Sequence, residues 1–430
     1  MSTLARKSMF LGIALTCVSL MSGAPVRAEL VPRSTDQKLR LEDIVARAIQ
    51  NAQILGAQDA RVEEKRLAAS QARTWSGASF DFSTGRKKAG ALSGPRSEWN
   101  FSQPLPLLGK PGLQGGLLDL ESESWRIRRE ATRLGVTIDV VRLVYEYAVN
   151  QRKTAFAEKR QKRFDLIREY LAGRPFSTPQ RKAESRIVEN KLSRLAADAM
   201  QNQIGARSSL EKLRAFVPLE HGTLLRVEVP WLSGSKALDE KEWVSKALQG
   251  SPELLLQRLT VKGADVEKTL ISKERWPDPA LTASIEESKT LETEKDYGLG
   301  ISLALPPWNG NRTGVKSAER RKVAEEEFLA HEEKRLKADV SRLIVEYEGS
   351  RQIVLGYPES TLQEYEKQIQ EAEAGFRKGQ LDLLTFLELD DSASEAFTRV
   401  LDAQFGLASR AAELMAVAGE SDPLPKLNSF

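Results

Sequence analysis

An internal repeat of about 200 residues constrains this chain more than any single motif in it. Arg142-Leu143-Val144-Tyr145-Glu146-Tyr147 returns as Arg342-Leu343-Ile344-Val345-Glu346-Tyr347, and Ala48-Ile49-Gln50 returns as Ala247-Leu248-Gln249. Trp75 returns as Trp276 and Gly173 as Gly379. The period exceeds that of solenoid repeats, so it marks a duplicated domain rather than a stacked array. The spacing widens from about 200 to about 206 residues toward the end, which predicts a short insertion near Gly356-Tyr357-Pro358. The first repeat is placed at residues 29–216 and the second at 236–419. A Pro-, Gly- and Ser-containing connector, 217–235, separates them, and 420–430 form a C-terminal tail.

Before the first repeat, Arg6 and Lys7 precede the apolar run Met9 to Met21, and Val26-Arg27-Ala28 offers a small-residue cleavage site ahead of Glu29. Residues 1–28 therefore read as an export signal, with an uncleaved anchor as the alternative. The run is too short to cross a bilayer as a helix. Cys17 lies inside it, and Ala14-Leu15-Thr16 is a poor match for lipoprotein processing, so Cys17 is read as an ordinary residue of the run. Without the leader, 61 of the 64 Lys and Arg remain against 60 acids. That balance argues against nucleic acid as a partner. Cys17 is the only cysteine, and His221 and His331 are the only histidines, which excludes thiol chemistry in the mature chain and most histidine-based catalysis. No enzyme activity, cofactor or metal site is expected.

Each repeat holds a short β hairpin within helical sequence. Tyr297, Leu299, Ile301, Leu303 and Leu305 alternate with Gly298, Gly300, Ser302 and Ala304, a period of two with large apolar groups on one face only. The partner strand is Ala280 to Glu287. In the first repeat, Phe80 and Phe82 pair with a strand containing Trp99, Phe101 and Leu105, across a turn-rich Gly85 to Pro95. Four such strands have the length to cross a membrane but cannot close a barrel, whereas three chains would give about twelve strands. Trp99 and Tyr297 are placed near strand ends as interfacial aromatics, or alternatively in a soluble core. From Gly112 to Ala172 there is no proline, so one helix can extend about 90 Å. Val136, Val140, Leu143 and Tyr147 form one heptad seam, repeated by Leu336, Val340, Leu343 and Tyr347. Leu134, Ile138, Val141, Tyr145 and Ala148 form a second beside it. Two seams let a helix pack on both sides, as a closed wall of helices requires. An ordinary bundle or a soluble periplasmic coiled-coil scaffold is the alternative.

Two segments carry a family resemblance. One is Leu305-Pro306-Pro307-Trp308-Asn309-Gly310-Asn311-Arg312-Thr313-Gly314, with the counterpart Gln103-Pro104-Leu105-Pro106-Leu107-Leu108-Gly109-Lys110. The other is Ala374-Gly375-Phe376-Arg377-Lys378-Gly379 followed by Leu383-Leu384 and Leu387. In these and in its repeat, the chain from Leu39 to Gly419 resembles the TolC-like outer-membrane factors of tripartite efflux systems. The proline-rich junctions look most like the heavy-metal-efflux, CzcC-like branch. The resemblance implies a mostly α fold with a small β part: long α-helical coiled-coil hairpins forming a trimeric α-barrel, plus a 12-stranded transmembrane β-barrel with four strands per chain. It implies an outer-membrane homotrimer in contact with outer-membrane lipid. Its long periplasmic extension would meet a periplasmic adaptor and an inner-membrane pump of the RND type. The exported solute would be a heavy-metal cation or a drug. The exit channel of type I protein secretion has the same architecture and stands as the alternative.

Site roles follow from that likeness. Pro104, Pro106, Gly109, Pro306, Pro307, Asn309 and Gly314 would turn strand into helix at the membrane surface, proline by lacking a ladder donor and glycine by admitting unusual φ values. Gly173 and Gly379 would reverse the helical hairpins at the periplasmic tip. There Pro175, Phe176, Leu381, Leu383 and Leu384 would offer apolar groups to the adaptor, or cap the tunnel's own packing. Glu388 matches one acidic gate position of the family, while the usual acid three residues earlier is Thr385 here. Asp382, Asp390 and Asp391 are candidates to replace it, with solvated helix charge as the ordinary reading of each.

Overall fold

The computed structural model describes residues 38–90, 92–173, 179–219, 225–289, 292–304, 310–420, 424 and 427. The leader, His221, Pro175, Phe176, Pro306, Pro307 and Asn309 lie outside the described residues. In chain order the first part contains β1 (Lys38–Arg40), α1 (Leu41–Asn51), α2 (Gln53–Arg73), β2 (Ser79–Ala89), β3 (Leu92–Pro104), α3 (Lys110–Ala172) and α4 (Pro179–Arg214). After β4 (Arg226–Glu228) come α5 (Glu240–Gly250), α6 (Pro252–Glu274), β5 (Pro279–Lys289), β6 (Thr293–Leu303), α7 (Arg312–Gly356), α8 (Glu359–Arg377) and α9 (Leu383–Val417). Two helices, two strands, a long helix and a returning helix thus occur twice.

The long helices differ for a local reason. Pro111 falls in the first turn of α3, where a missing N–H costs nothing, and no proline follows, so α3 continues for 63 residues, about 95 Å. In the second half Pro358 excludes Tyr357 from helical geometry (φ −135°, ψ 75°), and the helix is split into α7 and α8.

Both seams are buried. Val140, Leu143 and Tyr147 pack with Leu336, Val340, Leu343 and Tyr347 in one core that also takes residues of α1, α4, α5 and α9. The second seam contributes Val141 and Tyr145, with Ile138 partly buried against them. The connector is a packed element rather than a loose linker. β4 pairs in parallel with β1, joining Leu39 to Val227, and Val217, Leu225 and Leu232 are buried. Gln404 of α9 holds both backbone groups of Leu232, accepting from its N–H at 3.1 Å and donating to its carbonyl at 2.7 Å. Tyr147 Oη donates to the carbonyl of Leu225 at 2.9 Å, Tyr145 Oη to Pro230 at 2.9 Å and Tyr347 Oη to Lys236 at 3.0 Å. Burial pushes the Tyr347 hydroxyl up to about 12, so it remains a donor throughout the physiological range.

A second core lies at the far end of the long helices. Phe164, Ile167 and Leu171 of α3 meet Val188, Leu192 and Leu195 of α4, Ile369 and Phe376 of α8, and Leu383, Phe386 and Leu387 of α9. Among the described residues no helix is long and apolar enough to cross a membrane.

Phe386 is fully buried against Phe164 and Phe376, so Phe386→Ala is expected to destabilise this end by about 3–5 kcal/mol. Hydrogen exchange should quicken in α8 and α9 while the sheet amides keep their protection.

Candidate functional site

Strands β2, β3, β5 and β6 form one four-stranded sheet in that order, antiparallel throughout, with β2 and β6 at its edges. Strand alternation sorts its side chains onto two faces of opposite character. On one face Phe82, Trp99, Ile285 and Tyr297 stand in a row across the four strands. The next row holds Phe80, Phe101, Ala283 and Leu299, followed by Gln103, Leu281 and Ile301, and then Leu303 opposite Pro279. Three row spacings give an apolar band about 20 Å tall along the strands. Most of the large apolar side chains here are exposed on the single chain, Leu299 by 88% and Ile301 by 77%, while Trp99 is half-buried.

The other face is polar. It carries Asp81, Asn100, Ser284 and Gly298 in one row and Ser83, Glu98, Glu286 and Asp296 in the next. Arg96 donates to Glu98 at 3.0 Å and to Glu286 at 2.8 Å, while Lys87 reaches Ser288 at 3.3 Å and Glu294 at 3.4 Å. Small residues on β6, Gly298, Gly300 and Ser302, leave room along this face.

The strands are longer than the sequence reading places them. Gly85 to Pro95 is not a turn: Gly85 pairs with Arg96 and the ladder continues to Ala89 with Leu92. Pro95 lies just beyond the last β3–β5 pair, Arg96 with Ser288, so its missing N–H leaves no gap in that ladder. In consequence Trp99 and Tyr297 are not near strand ends. They sit mid-strand, at the border of the apolar band, because the next row on their face is Thr84, Ser97, Glu287 and Lys295. Phe82 and Trp99 touch there, with ring centroids 5.7 Å apart. At the opposite border stand two aromatics that the sequence reading used only as repeat landmarks. Trp75 and Trp276 are 64% and 68% exposed and occupy matching places between a helix and a strand. Their position immediately ahead of an alternating strand is the signal that could have found them.

Both strand-to-helix junctions use the same backbone device. Leu108 and Gly109 (φ 67° and 68°) precede α3, and Gly310 and Asn311 (φ 55° and 51°) precede α7, so two successive left-handed residues turn the chain each time. Gly109 fits the role expected of it. Gly314 does not: it lies inside α7, and its missing Cβ makes room for the Asn311 side chain, whose Oδ1 would otherwise be 2.4 Å away. Pro104 ends β3 and Pro106 lies in the segment that follows, where Leu105 N–H still reaches the carbonyl of Pro279 at 2.8 Å. Lys110, buried, donates to the carbonyl of Trp276 at 2.6 Å and pairs with Asp278 at 3.1 Å, fastening the first junction to the second repeat.

At the far end, Gly173 closes α3 in right-handed geometry (φ −71°), while Gly379 turns α8 into α9 with φ 76°. The carbonyl of Gly375 accepts from Gln380 and Leu381, and that of Phe376 from Gly379. Leu383 is buried in the hairpin's own core, so it is not an exposed group of the tip, and Leu381 packs half-buried against that core. Leu384 is 62% exposed, and Thr385, Glu388 and Leu389 share its accessible side of α9. Asp382 stands at the start of α9, where the Thr385 hydroxyl, with nearby backbone N–H groups, holds its carboxyl below the usual range.

Asp390 is no solvated helix charge. It is fully buried, and Arg160 Nε donates to both of its oxygens at 3.1 Å. Arg163 and Lys191 stand 3.8 and 4.0 Å from it, and Asp391 pairs with Lys191. Glu373, 3.6 Å from Arg163, brings α8 into the network, which therefore joins α3, α4, α8 and α9. Nothing in the local pattern of α3 or α9 announces these pairs, because the partners lie some 200 residues apart. Among the described residues no group of His, Cys, Asp and Glu could hold a metal ion, and His331 lies on α7.

Residues 243–420 match the family described as outer membrane efflux protein. No curated protein matches the chain. The fold is similar to that of CusC (TM-score 0.71, 12% identity, covering 88% of this chain and 92% of that one). It is also similar to the Campylobacter jejuni CmeC outer membrane channel (0.67, 13%, 90% and 88%) and to VceC from Vibrio cholerae (0.68, 15%, 88% and 96%). At 12–15% identity these are likenesses of fold, a long-helix body with a small sheet.

Removing the carboxylate of Asp390 strands buried cations, so Asp390→Ala is expected to lower stability by about 3–5 kcal/mol. Glu395→Ala, which breaks the exposed Glu395–Arg399 pair, should change it by less than about 1 kcal/mol. Thermal unfolding of the two variants checks the contrast.

Proposed function

We propose that this outer-membrane factor, which carries the outer membrane efflux protein domain over residues 243–420, is the passive exit duct of a tripartite efflux system. Three copies close a twelve-stranded barrel in the outer membrane, continuous with a periplasmic tunnel of long helices. A periplasmic adaptor and an inner-membrane pump of the RND type deliver the solute and supply the energy. The observation that carries the reading is the four-stranded sheet with one apolar face, one polar face and two unpaired edges. A membrane tolerates neither the open edges nor a polar face turned to lipid, and closure among identical copies removes both difficulties. A soluble scaffold would leave the band from Tyr297 to Leu303 in water.

The repeat supplies the geometry of closure. The hairpin pair Phe80–Phe101 corresponds to Leu281–Ile301, an equivalence that also aligns Trp75 with Trp276. Within the chain, Phe101 of β3 faces Ala283 of β5. Carrying that contact forward by one repeat sets Ile301 of β6 opposite Phe82 of the next copy, apolar face to apolar face. The lumen face then carries Asp81, Glu98, Glu286, Glu294 and Asp296 against Lys87 and Arg96, an excess of acid that favours cationic cargo such as metal ions or cationic drugs. At the periplasmic end Glu388 with Asp382 forms the gate, and the turns at Gly173 and Gly379 with exposed Leu384 meet the adaptor.

A Phe82→Cys, Ile301→Cys chain is expected to oxidise into disulfide-linked trimers on denaturing gels. The Phe82→Cys, Ser302→Cys chain should not, since a one-residue shift turns the thiol to the other face. Failure of both pairs to crosslink, with monomers on sedimentation, overturns the closed trimer. In planar bilayers the protein should conduct with a reversal potential shifted toward cation passage, and Glu388→Gln should reduce that shift. An anion-selective current, or one unchanged by Glu388→Gln, argues against the charge assignments.

A further inference from the structure

On the barrel reading above, the sheet carries a second charge pattern that conduction does not use. Beyond the aromatic row Phe82, Trp99 and Tyr297, the apolar-faced side continues toward the hairpin turns with Thr84, Ser97, Glu287 and Lys295, then Arg86 and Lys289, then Lys88. Lys295 pairs with Glu287 at 3.8 Å. Arg86, Lys88 and Lys289 are exposed and have no ion pair or hydrogen bond among the described residues. Glu287 is the only described acid on these four strands that shares their face, and Glu292 lies in the β5–β6 turn. One residue away, Lys87 points to the other face and is taken up by Ser288 and Glu294, as Arg96 is by Glu98 and Glu286. Strand alternation thus separates the partnered Lys87 and Arg96, facing the lumen, from the unpartnered Arg86, Lys88 and Lys289, facing the membrane.

We infer that Arg86, Lys88 and Lys289 bind the phosphorylated headgroup of an outer-leaflet glycolipid of the lipopolysaccharide class. The helices place the hairpin turns on the outer side, so these cations stand immediately outside the apolar band, at headgroup height. Their stems run along the strands and their charged heads reach phosphate, Arg86 with a fork that matches two phosphate oxygens. Arg86 and Lys88 are about 7 Å apart along β2, and Lys289 lies two strands away, about 10 Å across the sheet. That spread suits a headgroup with more than one phosphate better than a single phosphodiester. The excess positive charge on this face is opposite in sign to that of the lumen face, so one sheet presents an anion-attracting surface and a cation-attracting one without mixing them.

The test uses the full-length trimer purified from the outer membrane, with lipopolysaccharide, phosphate-stripped lipid A and inorganic phosphate as probes. Near an anionic headgroup each cation contributes about a fivefold gain in retention, so Arg86→Gln, Lys88→Gln and Lys289→Gln together should weaken lipopolysaccharide binding on the order of 100-fold. Lys87→Gln, on the opposite face of the same strand, should retain it. Phosphate-stripped lipid A should bind the parent no better than the triple variant, and millimolar inorganic phosphate should not displace the glycolipid. Equal retention by parent and triple variant overturns the site, as does equal loss in Lys87→Gln or displacement by free phosphate. A parent that inserts and conducts while failing to discriminate these lipids overturns the site alone. A parent that does not sediment with outer membranes overturns the channel reading with it.

Discussion

On the barrel reading, the two open strand edges of the sheet are the constraint on which the rest of the arrangement depends. β2 and β6 each present an outer row of backbone N–H and C=O groups with no strand partner among the described residues, and a lipid would offer none. Closure is therefore not an added property of the sheet but the condition under which its apolar face can lie in a membrane at all. Closure also gives the polar face its meaning. Once the edges are joined, Asp81, Glu98 and Asp296 can only line an interior, and the glycines of β6 keep that interior open.

The same sheet must feed two long helices per chain, which explains the effort spent at the junctions. Positive φ at Leu108 and Asn311 carries a cost of about 1–3 kcal/mol for residues with a Cβ, and it recurs in both repeats. Such a cost persists only where surroundings fix the geometry, and at the first junction Lys110 and Lys273 do so. Lys273 donates to the carbonyl of Leu108 at 2.9 Å, beside the Lys110 contacts with Trp276 and Asp278. The two repeats are thereby joined at the strand-to-helix junctions and again at mid-height, where the connector receives Tyr145, Tyr147 and Tyr347.

How much of this was legible depends on whether the signal was local. The second half of β6 could be read because Tyr297, Leu299, Ile301 and Leu303 on one face are large and apolar while Gly298, Gly300 and Ser302 on the other are small. The outer halves of β2 and β3 could not, because above the apolar band both faces are polar and the period of two vanishes into Gly, Lys, Ser and Pro. Helix α3 was readable from the absence of proline, and the break between α7 and α8 from its presence. At the tip, sequence placed Leu383 and Leu384 together as exposed groups. The helix phase buries the first and exposes the second, and nothing short of the packing of α9 on α3 and α8 fixes that phase. Asp390 failed for a related reason: an acid in a charged helix becomes a buried ion partner only through Arg160 in the other repeat.

That last contact also limits how far the duplication reaches. The repeat makes the helices, strands and turns twice over, but the ion network that fastens the tip occurs in one version. Arg160 and Arg163 of α3 grip Asp390 of α9, whereas the corresponding stretch of α8, Ser360 to Ile369, carries no arginine. It lies instead beyond the break at Tyr357-Pro358, where the second long helix has already changed course. Buried, well-paired charge resists separation because each partner left alone in the interior is strongly penalised. The seam between the two repeats of one chain is thus held near the α8–α9 turn by a device that the duplicated architecture does not automatically provide elsewhere. Identical folds need not have identical mechanical strength, and in this molecule the difference is concentrated at the end of the long helices where α8 turns into α9.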